Sequence, residues 1–328
     1  MKTEILKLLR ENSGYISGQQ LCERFGVSRT AIWKVINQLK ADGYQVEAVR
    51  NKGYCIVEMP DILTKEEIES QIADTTKWAG KNLYVYKETD STNLCARRLG
   101  ETGEPHGTLV VADKQNAGRG RRGRRWDSPA GSSIYMSVLL RPEFAPDKAS
   151  MLTLVMAYSV QKVLKQCTGL EVQIKWPNDM VFHGKKLAGI LTEMSTEIDY
   201  INYVVIGIGI NVNTETFPEE LFDRATSLRR ECGHDVQRSR IIAEILKQFE
   251  WDYERFLETE DLSWMRDMYN ACLVNCGQEV MIHGAETPYR AQALGINDAG
   301  ELLVRREDGT EQTVYAGEVS VRGVYGYV

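Results

Sequence analysis

No apolar run in the 328-residue chain approaches the ~20 residues that a bilayer-spanning helix needs. There are only four histidines, and the seven cysteines (Cys22, Cys55, Cys95, Cys167, Cys232, Cys272 and Cys276) include no CxxC pair. An odd, widely spaced set argues against a disulfide framework, and the scattered histidines offer no zinc-type cluster. Reduced thiols, a cytoplasmic location, no membrane partner and no protein-built metal site are therefore expected. No low-complexity tract or internal repeat is present, which excludes solenoid and linker-like architectures. Met1 to Arg10 is broken by charge and reads as an amphipathic helix rather than a signal peptide. No Ser-His-Asp set is evident.

The chain is long enough for two or three domains, each able to bury a core. Its net charge of −6 hides an asymmetry. Residues 1–57 hold nine Lys/Arg against five Asp/Glu, a net of +4, so the remainder carries −10. A basic module on an acidic body suggests that nucleic acid meets only the module.

Within that module, residues 4–11 are amphipathic. Ser17 then caps a helix with Leu21, Cys22 and Phe25 on one face, and Gly26 closes it. Ser28 caps the next, in which Ile32, Val35, Ile36 and Leu39 recur at helical spacing. Helix, glycine turn and capped helix form the helix-turn-helix pattern. Its exposed N-terminal side carries Ser28, Arg29, Thr30, Trp33 and Lys34, suited to a major groove. An alternating stretch from Tyr44 to Val57 turns at Asn51–Gly53 and predicts a hairpin wing with Arg50 and Lys52 at its tip, facing phosphates. A protein-docking module has the same pattern, but the positive charge favours DNA.

Residues 114–131 are the most informative stretch. Six cations, Lys114, Arg119, Arg121, Arg122, Arg124 and Arg125, fall in twelve residues without an acid, spaced by Gly118, Gly120 and Gly123. Burying so many guanidinium groups is too costly for a core, and the glycines with Pro129 exclude a helix. The stretch predicts a mobile cationic loop that closes over an anion, ending in Trp126. Gly118-x-Gly120-x-x-Gly123 matches a dinucleotide fingerprint, but no apolar helix pattern follows. A disordered RGG-like segment fits less well, because strand-like runs flank the loop.

The flanking region predicts strands at 83–86, 107–112, 133–140, 172–175, 180–183, 187–194 and 203–212. A long helix is expected from about Asp147 to Gly169, giving a mixed or antiparallel α+β sheet. Four motifs are polar where a core strand should not be: Asp90-Ser-Thr-Asn93, Lys175-Trp-Pro-Asn-Asp179, Lys185-Lys-Leu-Ala-Gly-Ile-Leu191 and Gly207-Ile-Gly-Ile-Asn-Val-Asn213. Each has an ordinary alternative, such as helix capping for the first and a bulge or close packing for the last. From Cys276 short alternating runs separated by turns predict a small β-barrel.

In this order and behind a winged helix, these motifs resemble the bifunctional biotin protein ligase/biotin-operon repressor family, over the whole chain. The resemblance implies an α+β multidomain fold. A winged helix-turn-helix domain would span 1–62, a biotin/ATP-binding domain 63–275 and an SH3-like domain 276–328. It implies synthesis of biotinyl-5′-AMP from biotin and ATP with Mg2+, transfer to a lysine of a biotin carrier protein, operator binding, and a homodimer promoted by the adenylate. Biotin would be held by Ser91, Thr92, Asn93, Gln115, Gly118, Arg119, Gly120, Arg121, Lys186 and Gly189. The nucleotide would meet Arg119, Arg121, Trp126, Lys175, Asn178, Asp179, Lys186 and Asn211. Lys186, Arg121 and Asp179 would be catalytic. A biotin-sensing repressor without catalysis and a lipoate-type ligase are the alternatives.

Overall fold

The computed structural model describes residues 1–283, 287–316 and 320–323. Helix α1 (Lys2–Glu11) buries Ile5, Leu6 and Leu9. Helix α2 (Gly18–Phe25) starts on a reciprocal Ser17–Gln20 capping box and ends on Gly26 at φ 63°. Helix α3 (Arg29–Ala41) is capped by Ser28 and buries Ile32, Val35, Ile36 and Leu39. Strands β1 (Gln45–Val49) and β2 (Gly53–Glu58) form the antiparallel wing. The module is docked on the next helix, α4 (Lys65–Ile72): Arg10 pairs with buried Glu67 at 2.6 Å, and Tyr44 hydrogen-bonds the same carboxylate.

Then follow β3 (Leu83–Tyr86), α5 (Thr92–Glu101), β4 (Thr108–Ala112), β5 (Ser133–Leu140), α6 (Met151–Thr168), β6 (Gln173–Lys175), β7 (Asp179–Phe182), β8 (Lys185–Thr196) and β9 (Ile201–Asn211). The seven strands form one sheet in the order β3-β4-β5-β9-β8-β7-β6; only β3 and β4 run parallel. Strand alternation splits its side chains between two cores. Leu109 and Val111 of β4 face the main core, while Val110 joins Cys95, Ala96, Leu139, Tyr203 and Val205 under α5. The expected helix from Asp147 is shorter. Pro146–Ser150 forms a tight 3-10 turn before α6, a frequent arrangement at helix starts.

Next come α7 (Leu228–Cys232), α8 (Arg238–Thr259) and α9 (Arg266–Ala271), with α8 packed along α6. Arg238 is only 2% exposed. It binds Asp61 and Asp113, each at 2.7 Å, and donates to the Ser133 carbonyl at 3.2 Å. Asp61 lies just after the wing, whereas Asp113 and Ser133 bracket the arginine loop. One guanidinium thus ties linker and loop base together.

Strands β10 (Glu279–His283), β11 (Tyr289–Ile296), β12 (Leu302–Arg306), β13 (Glu311–Val314) and β14 (Ser320–Gly323) form an antiparallel sheet in the order β13-β12-β11-β10-β14. Residues 324–328, expected to end this unit, lie outside the described residues. Its Val280, Ile282, Ala293 and Val304 join the main core, so this sheet is fused to the central one. Among the described residues no helix is long and apolar enough to cross a membrane.

Candidate active site

The arginine loop has a defined shape. Its neck is closed by bonds from Gln115 N to the Ser128 carbonyl and from Trp126 N to the Gly118 carbonyl. A Cβ on Gly118 would stand 2.3 Å from the Trp126 carbonyl oxygen, so only glycine fits that neck. At the tip Arg122 has φ 58° and Gly123 φ 72°. Gln115 Oε1 accepts from Thr92 N at 2.8 Å, and its Nε2 donates to Ser128 Oγ at 2.9 Å, tying the neck to the start of α5.

Beneath the loop lies a cleft of about 850 Å³, toward the upper end of the range for small-molecule sites. Of the anticipated biotin and nucleotide residues, Ser91, Thr92, Asn93, Gln115, Arg119, Gly120, Arg121, Trp126, Lys175, Asn178, Asp179, Lys186, Gly189 and Asn211 all line it. Gly118 does not and belongs to the neck. Thr214, Thr216, Phe217, Leu221 and Arg224 also line it, after β9, where no sequence pattern marked them.

The floor is made by two glycines paired across β8 and β9, Gly189 and Gly209. A Cβ on Gly209 would lie 2.7–3.0 Å from the Trp126 indole, and one on Gly189 would lie 3.1 Å from it. The indole therefore rests on backbone. Among the described residues its buried N–H has no hydrogen-bond partner. Gly207 has a different use: its Cβ would fall 1.8 Å from Asn93 Oδ1. The β9 glycines thus serve close approach, not a bulge.

Cations and their counter-groups meet at one end. Lys175-Trp-Pro-Asn-Asp179 is the β6–β7 turn, with Lys175 opposite Asp179 and a cis Trp176–Pro177 peptide. Lys186 Nζ lies 2.7 Å from Asp179 Oδ1 and 5.2 Å from the centre of the Trp126 ring. A bulge between the Met180–Ala188 and Val181–Lys186 pairs accommodates Leu187; such bulges re-aim neighbouring side chains. Arg121 donates to Asn178 Oδ1 at 2.9 Å and to the Ala316 carbonyl, joining the loop to the C-terminal sheet. Burial pulls its pKa below the usual arginine value, with Asp179 opposing. Asn178 Nδ2 donates to Asp179 and to the Ile190 carbonyl. Asn211 donates to the Thr226 carbonyl at 3.0 Å. Lys175 is 5% exposed. Ser91 opens α5 without a side-chain capping bond, so the capping alternative for that hydroxyl is not realised.

On the amino-terminal module, Ser28, Arg29, Thr30, Trp33 and Lys34 share one exposed side of α3, and Arg50 and Lys52 stand on the wing turn. Trp33 is 57% exposed. The Ser28 hydroxyl accepts from Ala31 N, so part of its capacity serves the cap.

Family patterns match three segments: an HTH domain at residues 2–55, the Biotin/lipoate A/B protein ligase family at 85–211, and the Biotin protein ligase C terminal domain at 276–322. The bifunctional ligase/repressor BirA of Bacillus spizizenii is 38% identical over 324 residues, 98% of each chain. The chain belongs to the bifunctional biotin protein ligase/repressor family. The family member of Escherichia coli, BirA, is 32% identical across 96% of this chain and 95% of its own. A solved biotin protein ligase from Aquifex aeolicus, in complex with biotin and ATP, superposes with a TM-score of 0.66 at 35% identity. It covers 74% of this chain and 99% of its own. This member of the ligase/repressor family thus has a DNA-binding-type module, a ligase domain and a C-terminal sheet.

Proposed function

We propose that the cleft condenses biotin with ATP and then delivers the biotinyl group to a lysine of a biotin carrier protein. The carrying observation is the convergence of Lys186, Asp179, Asn178 and Arg121 beside a glycine floor under Trp126. In the first step a biotin carboxylate oxygen attacks the α-phosphorus, the bond to pyrophosphate breaks, and pyrophosphate leaves. Two anions must meet, so fixed cations are the main requirement. Lys186 has three N–H donors, of which Asp179 takes one, leaving two for the carboxylate and phosphate. Arg121 and Arg119 flank the same groups. Ser91, Thr92 and Gln115 match the polar ureido ring, and such groups reject analogues lacking its atoms. The indole of Trp126 packs the adenine, and a nucleotide acceptor satisfies its N–H.

Among the described residues no three His, Cys, Asp or Glu side chains gather as a metal cage. Mg2+ carried on nucleotide phosphates needs only one or two carboxylates, which Asp179 fits. Its contribution would be to screen the phosphate charge. In the second step the carrier amine attacks the acyl carbon, AMP leaves, and the amine proton passes to Asp179 or to solvent. Burial of the anhydride under the loop slows its hydrolysis.

Incubation with biotin, Mg2+ and α-labelled ATP should yield a labelled adenylate, with lipoate as the control substrate. An adenylate from lipoate but not from biotin would leave the lipoate-type reading, and none from either would leave the sensing reading. In regulation, the adenylate acts as corepressor and the α3 side binds operator DNA. Two half-sites call for two modules, so the adenylate favours a homodimer, formed by extending an edge of the central sheet. Its terminal strands are β3 and β6. The outer side of β6 is already bridged, Ile174 N donating to the Cys272 carbonyl at 2.8 Å and Val274 N to the Ile174 carbonyl at 2.9 Å, which leaves β3 as the edge to extend. The carrier would compete for the same edge. Sedimentation with and without biotinyl-5′-AMP tests this: an unchanged mass and unchanged DNA affinity would remove the regulatory part alone.

A further inference from the structure

Strand β8 carries a carboxylate, Glu193, that the reaction above leaves without a task. Its Oε2 accepts from Asn93 Nδ2 at 2.9 Å. Its Oε1 stands 3.3 Å from Arg119 and 3.6 Å from Arg97. Asn93 is buried and fully engaged. Nδ2 also donates to the Leu191 carbonyl at 3.1 Å, and Oδ1 accepts from Ser137 Oγ at 2.7 Å. The bare backbone at Gly207 makes room for that amide. A rigid amide therefore fixes one oxygen of Glu193 and leaves the other facing the loop. Arg119 is 43% exposed and lines the cleft, with one terminal nitrogen on Glu193 and its other donors uncommitted to it.

We propose that Glu193 is a positioning residue for Arg119. It takes one edge of the guanidinium and turns the other toward the carboxylate of biotin. This rests on the assignment of Arg119 to that carboxylate. A long side chain on a loop loses conformational freedom when it engages a ligand, and an anchor already present removes part of that loss. The effect has a distinctive sign. A negative charge beside an anion site on its own weakens anion binding, so its removal should strengthen binding. If Glu193 positions Arg119, its removal weakens binding.

The test is a double-mutant cycle in the full chain with Glu193→Gln and Arg119→Ala. Glutamine keeps an acceptor for Asn93 and discards the charge. Biotin Kd is read by calorimetry, and KM for biotin, KM for ATP and kcat by adenylate formation. Glu193→Gln should raise biotin Kd and KM about three- to fivefold, in line with a partly exposed ion pair, with kcat, ATP KM and the thermal midpoint nearly unchanged. In the Arg119→Ala background the same change should have no further effect. Glu193→Asp, which keeps the charge but shortens its reach, should also lose biotin affinity. Tighter biotin binding by Glu193→Gln, or an undiminished effect without Arg119, overturns the inference while Arg119 keeps its role. If Arg119→Ala leaves biotin affinity unchanged, the assignment of Arg119 falls and the inference with it.

Discussion

The outer side of α3 and the cleft both gather cations, but they hold them differently. Among the described residues Arg29, Lys34 and Arg50 stand in no ion pair, and an apolar core behind them fixes the helix. In the cleft Lys186 is on Asp179, Arg121 on Asn178 and Ala316, and Arg119 on Glu193. The first surface is preformed for a long polyanion that meets it from solvent. The second is held by its own counter-groups, so a small ligand must share or exchange them. Cost and specificity follow: displacing a partner is tolerable only for a ligand that restores every bond.

Lys186→Ala should break this contrast most sharply. It removes the cation between the two anions and should lower adenylate formation by about 10²–10³-fold, the size seen when one stabilising donor is lost. The thermal midpoint should barely move, because Lys186 is partly exposed. Full activity in the labelled-ATP assay would leave it a structural role only. Arg121→Ala comes next. Losing a charge-assisted bond of about 1.5–3 kcal/mol should speed adenylate dissociation by about ten- to hundredfold. Biotin alone should be affected less; equal losses for both would count against closure over the phosphate.

Gly209→Ala probes the floor. Its methyl group must displace the Trp126 indole, at an overpacking cost of about 1–3 kcal/mol, so adenylate affinity should fall while biotin affinity falls less. Unaltered Trp126 quenching on adenylate binding would show that the indole had not been resting there. Lys34→Ala should have the smallest effect. Operator affinity should drop evenly across sequences and the slope of log affinity against log salt should fall by about one, with adenylation unchanged. A sequence-selective loss would instead make Lys34 a base reader.

The winged helix was legible almost residue by residue, because caps and apolar spacing are local signals. Ser17, Gly26 and Ser28 sit at the helix ends their types predict. The mixed sheet was legible from its Val- and Ile-rich runs. The cleft was legible in residue types but not in partners. Arg121 meets Asn178 57 residues away and Ala316 195 residues away, and no periodicity encodes such pairs. Glu193 falls in an expected strand with no motif around it to mark it, and Phe217, Leu221 and Arg224 lie in a stretch without pattern. Gly118 illustrates the converse: its motif was plain, yet its task is steric, at the neck.

Arg238 bears on where this chain can be divided. A boundary after residue 62 looks natural on paper, since the wing has ended and the next helix has not begun. Yet Asp61 supplies a carboxylate, and its carbonyl a further acceptor, to a guanidinium that also steadies both feet of the arginine loop. A chain begun at residue 63 would keep every residue of the cleft but leave that guanidinium with Asp113 as its remaining ion-pair partner. Modularity here is a property of the sequence patterns more than of the load paths. Anyone excising the ligase should start upstream of Asp61.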